Sequence, residues 1–195
     1  MKVKNTRLDE NIYFTADEHL GHGSILKYCH RPFPTIEDMD NEIIARRNDI
    51  VGSNDVVYSL GDFTLSGDAR SYFERLSGIS KIIPGGHDRR WIKKYPTLYT
   101  KDAKVEILPP LYTLEIPIAD QKHPLTIVLC HFPLRIWDRS HYGSFHCFGH
   151  SHGRLPEYGR SMDVGVDAHD FYPISLQDVF DTLSVRRNVN ELAND

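Results

Sequence analysis

The sequence predicts an α/β fold whose functional side chains follow the ends of its strands. In the first half of the chain, short apolar runs alternate with segments of helical pattern, which indicates three successive β-α units. Each apolar run ends in a turn that carries Asp or His. Open α/β sheets hold their binding sites at the carboxyl ends of strands, so we expect these side chains to share one edge.

The first unit begins with a strand at 12–16, which is apolar and rich in strand-forming residues. A glycine-rich polar turn follows it and contains Asp17 and His19. Thr35 is then a good helix N-cap, and apolar residues recur after it at three- to four-residue spacing. This pattern predicts an amphipathic helix to about Val51.

The second and third units repeat the arrangement. A strand at 55–60 ends directly at Asp62, and a helix is expected at 67–77. A third strand at 81–84 ends in the turn Gly85-Gly86-His87-Asp88. Each turn is unremarkable alone, but three in succession indicate a site assembled from several strand ends.

The second half of the chain is richer in strands. We expect strands at 105–107, 111–118, 125–130, 145–148 and 161–166, a helix at 175–183 and a frayed polar tail at 185–195. The short spacing of the second and third strands favours an antiparallel hairpin that turns at 120–122. The third strand ends at His131, and the fourth in a turn where His150 and His152 stand between two glycines.

The composition predicts one globular domain over residues 1–195. The chain has a mass of 22.5 kDa and a net charge of -4, which gives no strong signal for nucleic-acid or membrane binding. Its three cysteines show no paired spacing, and its N-terminus is charged rather than apolar. We therefore expect a reducing, cytoplasmic environment. The composition leaves the oligomeric state open.

The groups at the strand ends are those of a metal centre. They are Asp17, His19, Asp62, His87, Asp88, His131, His150 and His152. Mixed carboxylate and imidazole ligands suit manganese, iron, zinc or nickel, and the set is too large for one ion and about right for two. A carboxylate such as that of Asp62 can bridge two cations, and a bridging hydroxide between them would attack a phosphoryl group.

The ordered motifs resemble those of the calcineurin-like metallophosphoesterase family. They are Asp17-x-His19, Gly61-Asp62, Gly85-x-His87-Asp88, His131 and Gly149-His150-x-His152. Two further stretches are similar to small bacterial and phage members, namely Gly21-His22 with Arg31-Pro32-Phe33, and Val164-Gly165-Val166-Asp167. The resemblance implies two mixed β-sheets packed as a sandwich flanked by helices, in four αββα layers, as one metallophosphoesterase domain.

The resemblance also implies a role for each residue. The first metal ion would be held by Asp17, His19 and His152, the second by His131 and His150, and Asp62 would bridge the two. His87 would contact the phosphate or protonate the leaving oxygen as a general acid, and Asp88 would orient it. Two divalent ions are implied, with manganese in first place and iron, zinc or nickel as alternatives.

One position departs from the family pattern. Gly86 stands where the family has an Asn whose carbonyl oxygen ligates the second metal ion. Three explanations are open: an engineered change that disables the enzyme, a natural variant with a weak second site, or substitution by a neighbour such as His22. Loss of a ligand here predicts impaired activity.

The predicted function is therefore a two-metal phosphodiesterase that acts on a small or nucleotide-like phosphodiester. The alternatives are a metal-binding regulatory or binding module with little catalysis, and a nuclease. The candidate substrate contacts are His22, Arg31, Arg135 and His141. A phosphoester substrate, with a nucleotide as one option, is the only partner that the sequence indicates.

Overall fold

The computed structural model describes residues 12–94, 98–99, 104–118 and 121–189. The strands of this part of the chain form two sheets, one of six strands and one of four. Both sheets are mixed, with parallel and antiparallel neighbours. The predicted α/β fold with two mixed sheets is confirmed.

The larger sheet has the strand order β10-β1-β2-β3-β5-β4. Its strands are β1 (Ile12–Thr15), β2 (Val56–Ser59), β3 (Ile79–Ile82), β4 (Leu98–Tyr99), β5 (Lys104–Ile107) and β10 (Ile174–Ser175). The inner strands β1, β2, β3 and β5 run parallel, whereas β4 and β10 lie antiparallel at the edges. The carboxyl ends of β1, β2 and β3 therefore meet at one edge.

The smaller sheet has the order β6-β7-β8-β9. Its strands are β6 (Leu111–Ile116), β7 (Leu125–Cys130), β8 (Phe145–Phe148) and β9 (Ser161–Asp163). Strands β6 and β7 pair antiparallel, as the predicted hairpin requires, and β7, β8 and β9 are parallel. The ends of β7 and β8 thus lie side by side.

Five α-helices accompany the sheets in the described residues. They are α1 (Ile25–Tyr28), α2 (Ile36–Ile50), α3 (Ala69–Phe73), α4 (Arg89–Lys94) and α5 (Leu176–Ser184), and single 3-10 turns occupy Ser140–Tyr142 and Val166–Ala168. Helix α2 begins as predicted, because Thr35 Oγ1 accepts the backbone N–H of Asp38 at 3.1 Å. In this part of the chain no helix has the length and apolar character that crossing a bilayer requires.

The two sheets pack face to face and bury a common core. Phe14 and Leu60 of the larger sheet share this core with Ile127 and Phe145 of the smaller one, and α5 packs against it through Leu176. A second cluster fills the other face of the larger sheet and includes apolar residues of α2, α3 and α4. A third, smaller cluster joins Val128 of the smaller sheet to Trp137 in the following loop and to Val189. The sandwich flanked by helices is confirmed.

Several element boundaries differ from the prediction. Strand β3 begins at Ile79 and ends at Ile82, two residues earlier than expected at each end, because Pro84 has no N–H for the ladder. Strand β9 ends at Asp163, and a 3-10 turn follows instead of more strand. Helices α3 and α5 were predicted, whereas α4, β4 and β10 were not.

Two predictions extend beyond the described residues. Part of the expected hairpin turn at 120–122 lies outside them, as do residues 190–195 of the expected frayed tail. Fraying is wrong for Val189, which is buried against Val128 and Trp137, whereas Val185 at the start of the tail is exposed. Burial of this apolar side chain orders residue 189, although its neighbours in the sequence are polar.

Candidate metal centre

All six predicted metal ligands lie together in two adjacent groups of three. Asp17, His19 and His152, here called the first triad, have ligand atoms within 4.8 Å of one another. The same holds for Asp62, His131 and His150, here called the second triad. They come from the ends of β1, β2, β7 and β8, so the centre spans both sheets of the sandwich.

Asp62 connects the two triads. Its Oδ2 lies 3.7 Å from His19 Nε2 in the first triad and 3.4 Å from His131 Nε2 in the second. One carboxylate therefore faces imidazole nitrogens of both groups. This is the position that the bridging role of Asp62 requires.

Three ligand atoms of the centre are buried without a hydrogen-bond partner among the described residues. They are Asp17 Oδ1, His19 Nε2 and His131 Nε2. A buried polar atom with no partner costs about 1–3 kcal/mol, and native proteins rarely leave one unexplained. Two imidazole nitrogens and a carboxylate oxygen are metal ligands, so the residues present fit the implied cations.

The backbone at the centre is strained. Five of the six ligands have positive φ angles, namely Asp17 (57°), His19 (51°), Asp62 (55°), His150 (67°) and His152 (49°). The left-handed region is sparsely populated by non-glycine residues, and each such residue costs about 1–3 kcal/mol. Strain of this kind persists where the surroundings enforce it and is concentrated at functional sites.

Hydrogen bonds fix two of the ligand rings. His131 Nδ1 lies 2.7 Å from the backbone oxygen of Leu60, and His152 Nδ1 lies 2.7 Å from Asp167 Oδ2. Because Nδ1–H donates in both cases, Nε2 carries the lone pair that a metal ion needs. The carboxylate beside His152 also makes that ring a stronger base.

Glycines allow the strand ends to approach closely. Gly61 has a φ of +92°, and a Cβ there would lie 2.4 Å from the backbone nitrogen of Gly85. A Cβ at Gly149 would lie 2.8 Å from Asp17 Oδ2. The absence of side chains at these positions lets Asp17 and Asp62 sit against neighbouring backbone.

Burial and mutual charge set the protonation of the centre. Burial raises the pKa of Asp17 to about 7 and lowers the pKa of His19 to about 3. At Asp62, burial acts to raise the pKa, but the interaction with His131 outweighs it and holds that pKa well below its usual range. A bound cation would favour the carboxylate form of Asp17 and the neutral form of each imidazole.

His87 lies on the open side of the centre. Its side chain is 41% exposed, and its Nε2 is 3.8 Å from Asp62 Oδ2. The backbone N–H of His87 donates to Asp62 Oδ1 at 2.8 Å, which holds the main chain of His87 beside that carboxylate. Its ligand atom is also within 4.8 Å of those of His19 and Asp62. An exposed imidazole at this point can reach a substrate, as the predicted role requires.

Asp88 does not orient His87, and that part of the prediction is wrong. The Asp88 carboxylate is fully buried and accepts four hydrogen bonds of 2.7–3.0 Å, from the backbone N–H groups of Asp62, Phe63 and Gly85 and from Nε1–H of Trp91. Both oxygens are thus occupied away from the His87 ring. Asp88 holds the loop of Asp62 against the end of β3 and is a positioning residue.

Arg31 is not a substrate contact either. It is 5% exposed, and its guanidinium forms a bidentate pair with Asp167 at 2.9 and 2.8 Å. The same group donates to the backbone oxygens of Asp17 at 2.6 Å and Glu18 at 2.9 Å. Arg31 therefore ties the strained turn after β1 to the carboxylate that orients His152.

Of the remaining predicted substrate contacts, His22 lies beside the first triad, whereas Arg135 and His141 contact other residues. His22 is partly exposed beside the first triad, with its Nδ1 3.1 Å from His19 Nδ1. Arg135 stacks on Tyr158 at 3.9 Å, and the exposed His141 contacts Tyr142. No contact among the described residues brings Arg135 or His141 to either triad.

Gly86 leaves space where the family pattern has an Asn side chain. A Cβ at this position would meet only one atom within 4 Å, Asp62 Oδ1 at 3.9 Å. His22 contacts His19 and is absent from the second triad, so it does not replace the missing ligand. Within the described residues, the second triad thus has Asp62, His131 and His150 alone.

Two residues of the centre were given no role from the sequence. Asp167 was noted only as part of a motif, because its contact with Arg31 joins residues 136 positions apart. Phe132 follows His131 and is 48% exposed, with its ring centroid 4.8 Å from those of His131 and His150. Its place directly after a strand-end ligand is the signal that could have singled it out.

Comparisons with known proteins give relatives without an assigned activity. No protein-family model matches the chain. MJ1445, an uncharacterized protein of Methanocaldococcus jannaschii, is 42% identical over 82 residues, which are 40% of this chain and 47% of that protein. The chain therefore spans about half the length of that relative. The Gene 66 protein of Mycobacterium phage D29 is 27% identical over 207 residues, covering 93% of this chain and 97% of the phage protein.

A second phage protein and a solved structure extend the comparison. The Gene 66 protein of Mycobacterium phage L5 is 24% identical over 188 residues, or 81% of this chain and 87% of that protein. The crystal structure of AQ665, a protein of unknown function from Aquifex aeolicus, matches with a TM-score of 0.63 at 20% identity. The match covers 88% of this chain and 98% of that one, and the likeness is one of fold.

Proposed function

We propose that this chain is a two-metal phosphodiesterase of the calcineurin-like metallophosphoesterase type. The observation that carries the proposal is the pair of triads, which Asp62 connects and which present buried ligand atoms without a hydrogen-bond partner among the described residues. Strained ligands and fixed imidazole rings support it, because both are features of preorganised sites.

The residues have distinct tasks in this proposal. Asp17, His19 and His152 hold one ion, His131 and His150 hold the other, and Asp62 faces both. Two divalent ions, with manganese in first place and iron, zinc or nickel as alternatives, would offset charge on the phosphoryl group and activate a water as nucleophile. His87 supplies a hydrogen bond to a phosphate oxygen or a proton to the leaving oxygen.

The substrate in this proposal is a phosphodiester, and the sequence favours a small or nucleotide-like one. Asp88 and Arg31 do not touch it, and they keep the ligands in place. The three cysteines are free thiols, which agrees with a reducing, cytoplasmic location.

Hydrolysis of bis-p-nitrophenyl phosphate with added manganese tests the proposal. The chain should turn over this diester, EDTA should abolish the activity, and Asp62→Asn should lower it at least about 100-fold. Asp170→Asn makes the same chemical change at an exposed ion pair with Arg46 and should leave the rate unchanged. Inactivity of both the unchanged chain and Gly86→Asn would contradict the proposal.

A metal-binding module with little catalysis is the second candidate. The missing side chain at Gly86 favours it, because the second triad then lacks the amide ligand of the family pattern. In that case the chain would bind manganese and hydrolyse neither bis-p-nitrophenyl phosphate nor p-nitrophenyl phosphate. Robust turnover would exclude this candidate.

A further inference from the structure

Helix α4 carries a row of exposed cations beside the centre. Arg89, Arg90, Lys93 and Lys94 are all exposed, whereas Trp91 between them is buried. Positions three and four apart lie on one face of a helix, so these four side chains share the outer face of α4. We call them the basic ridge. Among the described residues, Arg89, Arg90 and Lys93 have no ion-pair partner.

The basic ridge is anchored directly to the centre. Helix α4 begins at Arg89, two residues after His87. Asp88 accepts Nε1–H of Trp91 at 2.8 Å and also the backbone N–H of Asp62 at 2.7 Å. One buried carboxylate thus fixes both the bridging residue and the helix. At about 1.5 Å per residue, the six residues of α4 extend the positive charge over about 9 Å.

Phe132 presents a partly exposed aromatic ring beside the second triad. This ring contacts the imidazoles of His131 and His150, yet 48% of the residue is open to solvent. Single exposed apolar side chains are common on protein surfaces. This ring differs because it lies against the imidazoles of two predicted ligands, where a substrate at the centre would meet it. A nucleobase stacks on such a ring whatever its identity, since every base has a π-face.

We propose that the substrate is a single-stranded nucleic acid. Its phosphates lie along the basic ridge, one base stacks on Phe132, and one phosphodiester reaches the triads. A small diester offers a single phosphate, which cannot lie along Arg89, Arg90 and Lys93 together. A duplex keeps its bases stacked and could not use Phe132. The net charge of -4 for the whole chain does not oppose a local positive surface. This inference rests on the proposed function for the cleavage step only.

Binding of a fluorescein-labelled oligothymidine in EDTA tests the surface without the metal ions. Fluorescence anisotropy at several salt concentrations should give a negative slope of log affinity against log salt, of about 0.7 per phosphate contacted. Arg90→Gln or Lys93→Gln should each reduce the slope by about 0.7. Lys122→Gln removes the same charge from an exposed position in the β6–β7 connection and should leave the slope unchanged.

Phe132→Leu provides a second and independent readout. It should weaken binding by about 5- to 100-fold, with the salt slope unchanged, because stacking involves no counterions. A labelled oligouridine in place of oligothymidine shows whether RNA or DNA is preferred. Equal competition by a mononucleotide, equal affinity for duplex, or equal effects of Lys93→Gln and Lys122→Gln would overturn the inference.

Failure of this inference and failure of the proposed function are distinguishable. If the strand does not bind in EDTA but bis-p-nitrophenyl phosphate is hydrolysed, the surface is wrong and the metal centre stands. If the strand binds with the expected slope but no diester is hydrolysed, the surface stands and the phosphodiesterase is wrong.

Discussion

At the scale of single residues, the positions of the two triads depend on side chains outside them. Asp167 is an example, because its Oδ2 faces His152 Nδ1 while both of its oxygens accept from Arg31. The guanidinium in turn holds the carbonyl oxygen of Asp17. Two ligands of the first triad are thus positioned through one buried ion pair.

Replacing Asp167 by Asn should therefore weaken one metal site and spare the other. The neutral amide no longer balances Arg31 or polarises His152, and loss of such an outer partner costs about 10–100-fold in metal affinity. Calorimetric titration with manganese should show this loss for a single class of site. Asp170→Asn is the matched control at an exposed pair. Unchanged manganese affinity in Asp167→Asn would contradict this role. The role would also be contradicted if Asp167→Asn lowered the affinity as much in the His152→Ala background as it does in the unchanged chain.

Gly86→Asn should strengthen the second site. The Cβ would meet only Asp62 Oδ1, at 3.9 Å, so the side chain fits without displacing the backbone. An added amide oxygen should tighten the weaker manganese site by about 10–100-fold and raise diester turnover. Gly85→Ala should have the opposite effect, because its Cβ would lie 2.3 Å from Asp62 Oδ1 and would displace that carboxylate. This substitution should lower both the manganese affinity and the diester turnover. An unchanged affinity in Gly86→Asn would mean that this ligand position is not used.

His146 should make stability depend on pH. It is fully buried, its Nε2 accepts the N–H of Leu134 at 3.1 Å, and its Nδ1–H donates to the oxygen of Val128 at 2.9 Å. Burial lowers its pKa to about 4. Between about pH 6.5 and 4 the unfolded chain binds a proton that the folded chain does not, so stability falls as the pH falls.

Urea unfolding at about pH 7 and about pH 5 measures this effect. His146 should lower the free energy of unfolding by about 2 kcal/mol at pH 5, since each pH unit below 6.5 contributes about 1.36 kcal/mol. His146→Gln has no titrating group at this position and should lose that part of the pH dependence. Equal pH dependence in both proteins would contradict the assignment of a neutral buried imidazole.

At the scale of elements, the strands and the polar residues that follow them are the features that the sequence predicts best. Strands β1, β2 and β7 are short apolar runs followed by Asp17, Asp62 and His131, so both the strands and the side chains at their ends could be predicted. Helix α4 could not, because six residues with four cations show no clear apolar period. Strand β10 is two residues long and forms only by pairing with β1.

Asp88 connects the loop after β2, the end of β3 and helix α4. Its replacement by Asn should lower the free energy of unfolding. One of its oxygens would become an amide that cannot accept the N–H groups of its two donors, and unsatisfied buried groups cost about 1–3 kcal/mol each. Urea unfolding should show a loss of at least about 2 kcal/mol, with weaker manganese binding because Asp62 is released. If Asp88→Asn is as stable as the unchanged chain, the four hydrogen bonds do not hold the loop.

At the scale of the whole molecule, the sandwich brings together residues that are far apart in the sequence. The backbone N–H of His150 donates to Asp17 Oδ2 at 2.7 Å across 133 residues, and the two sheets meet at this contact. The order of the motifs allowed the grouping of the two triads to be predicted, but contacts of this range leave no local pattern. For that reason the expected roles of Arg31 and Asp88 were wrong, although both residues belong to the centre.

The number of manganese ions bound per chain tests the central claim most directly. Equilibrium dialysis at saturating manganese, followed by elemental analysis, should give two ions for the unchanged chain and one for His150→Ala, which removes a ligand of the second triad. Two triads that Asp62 connects predict this pair of values. A count of one or none for the unchanged chain would contradict the two-metal centre.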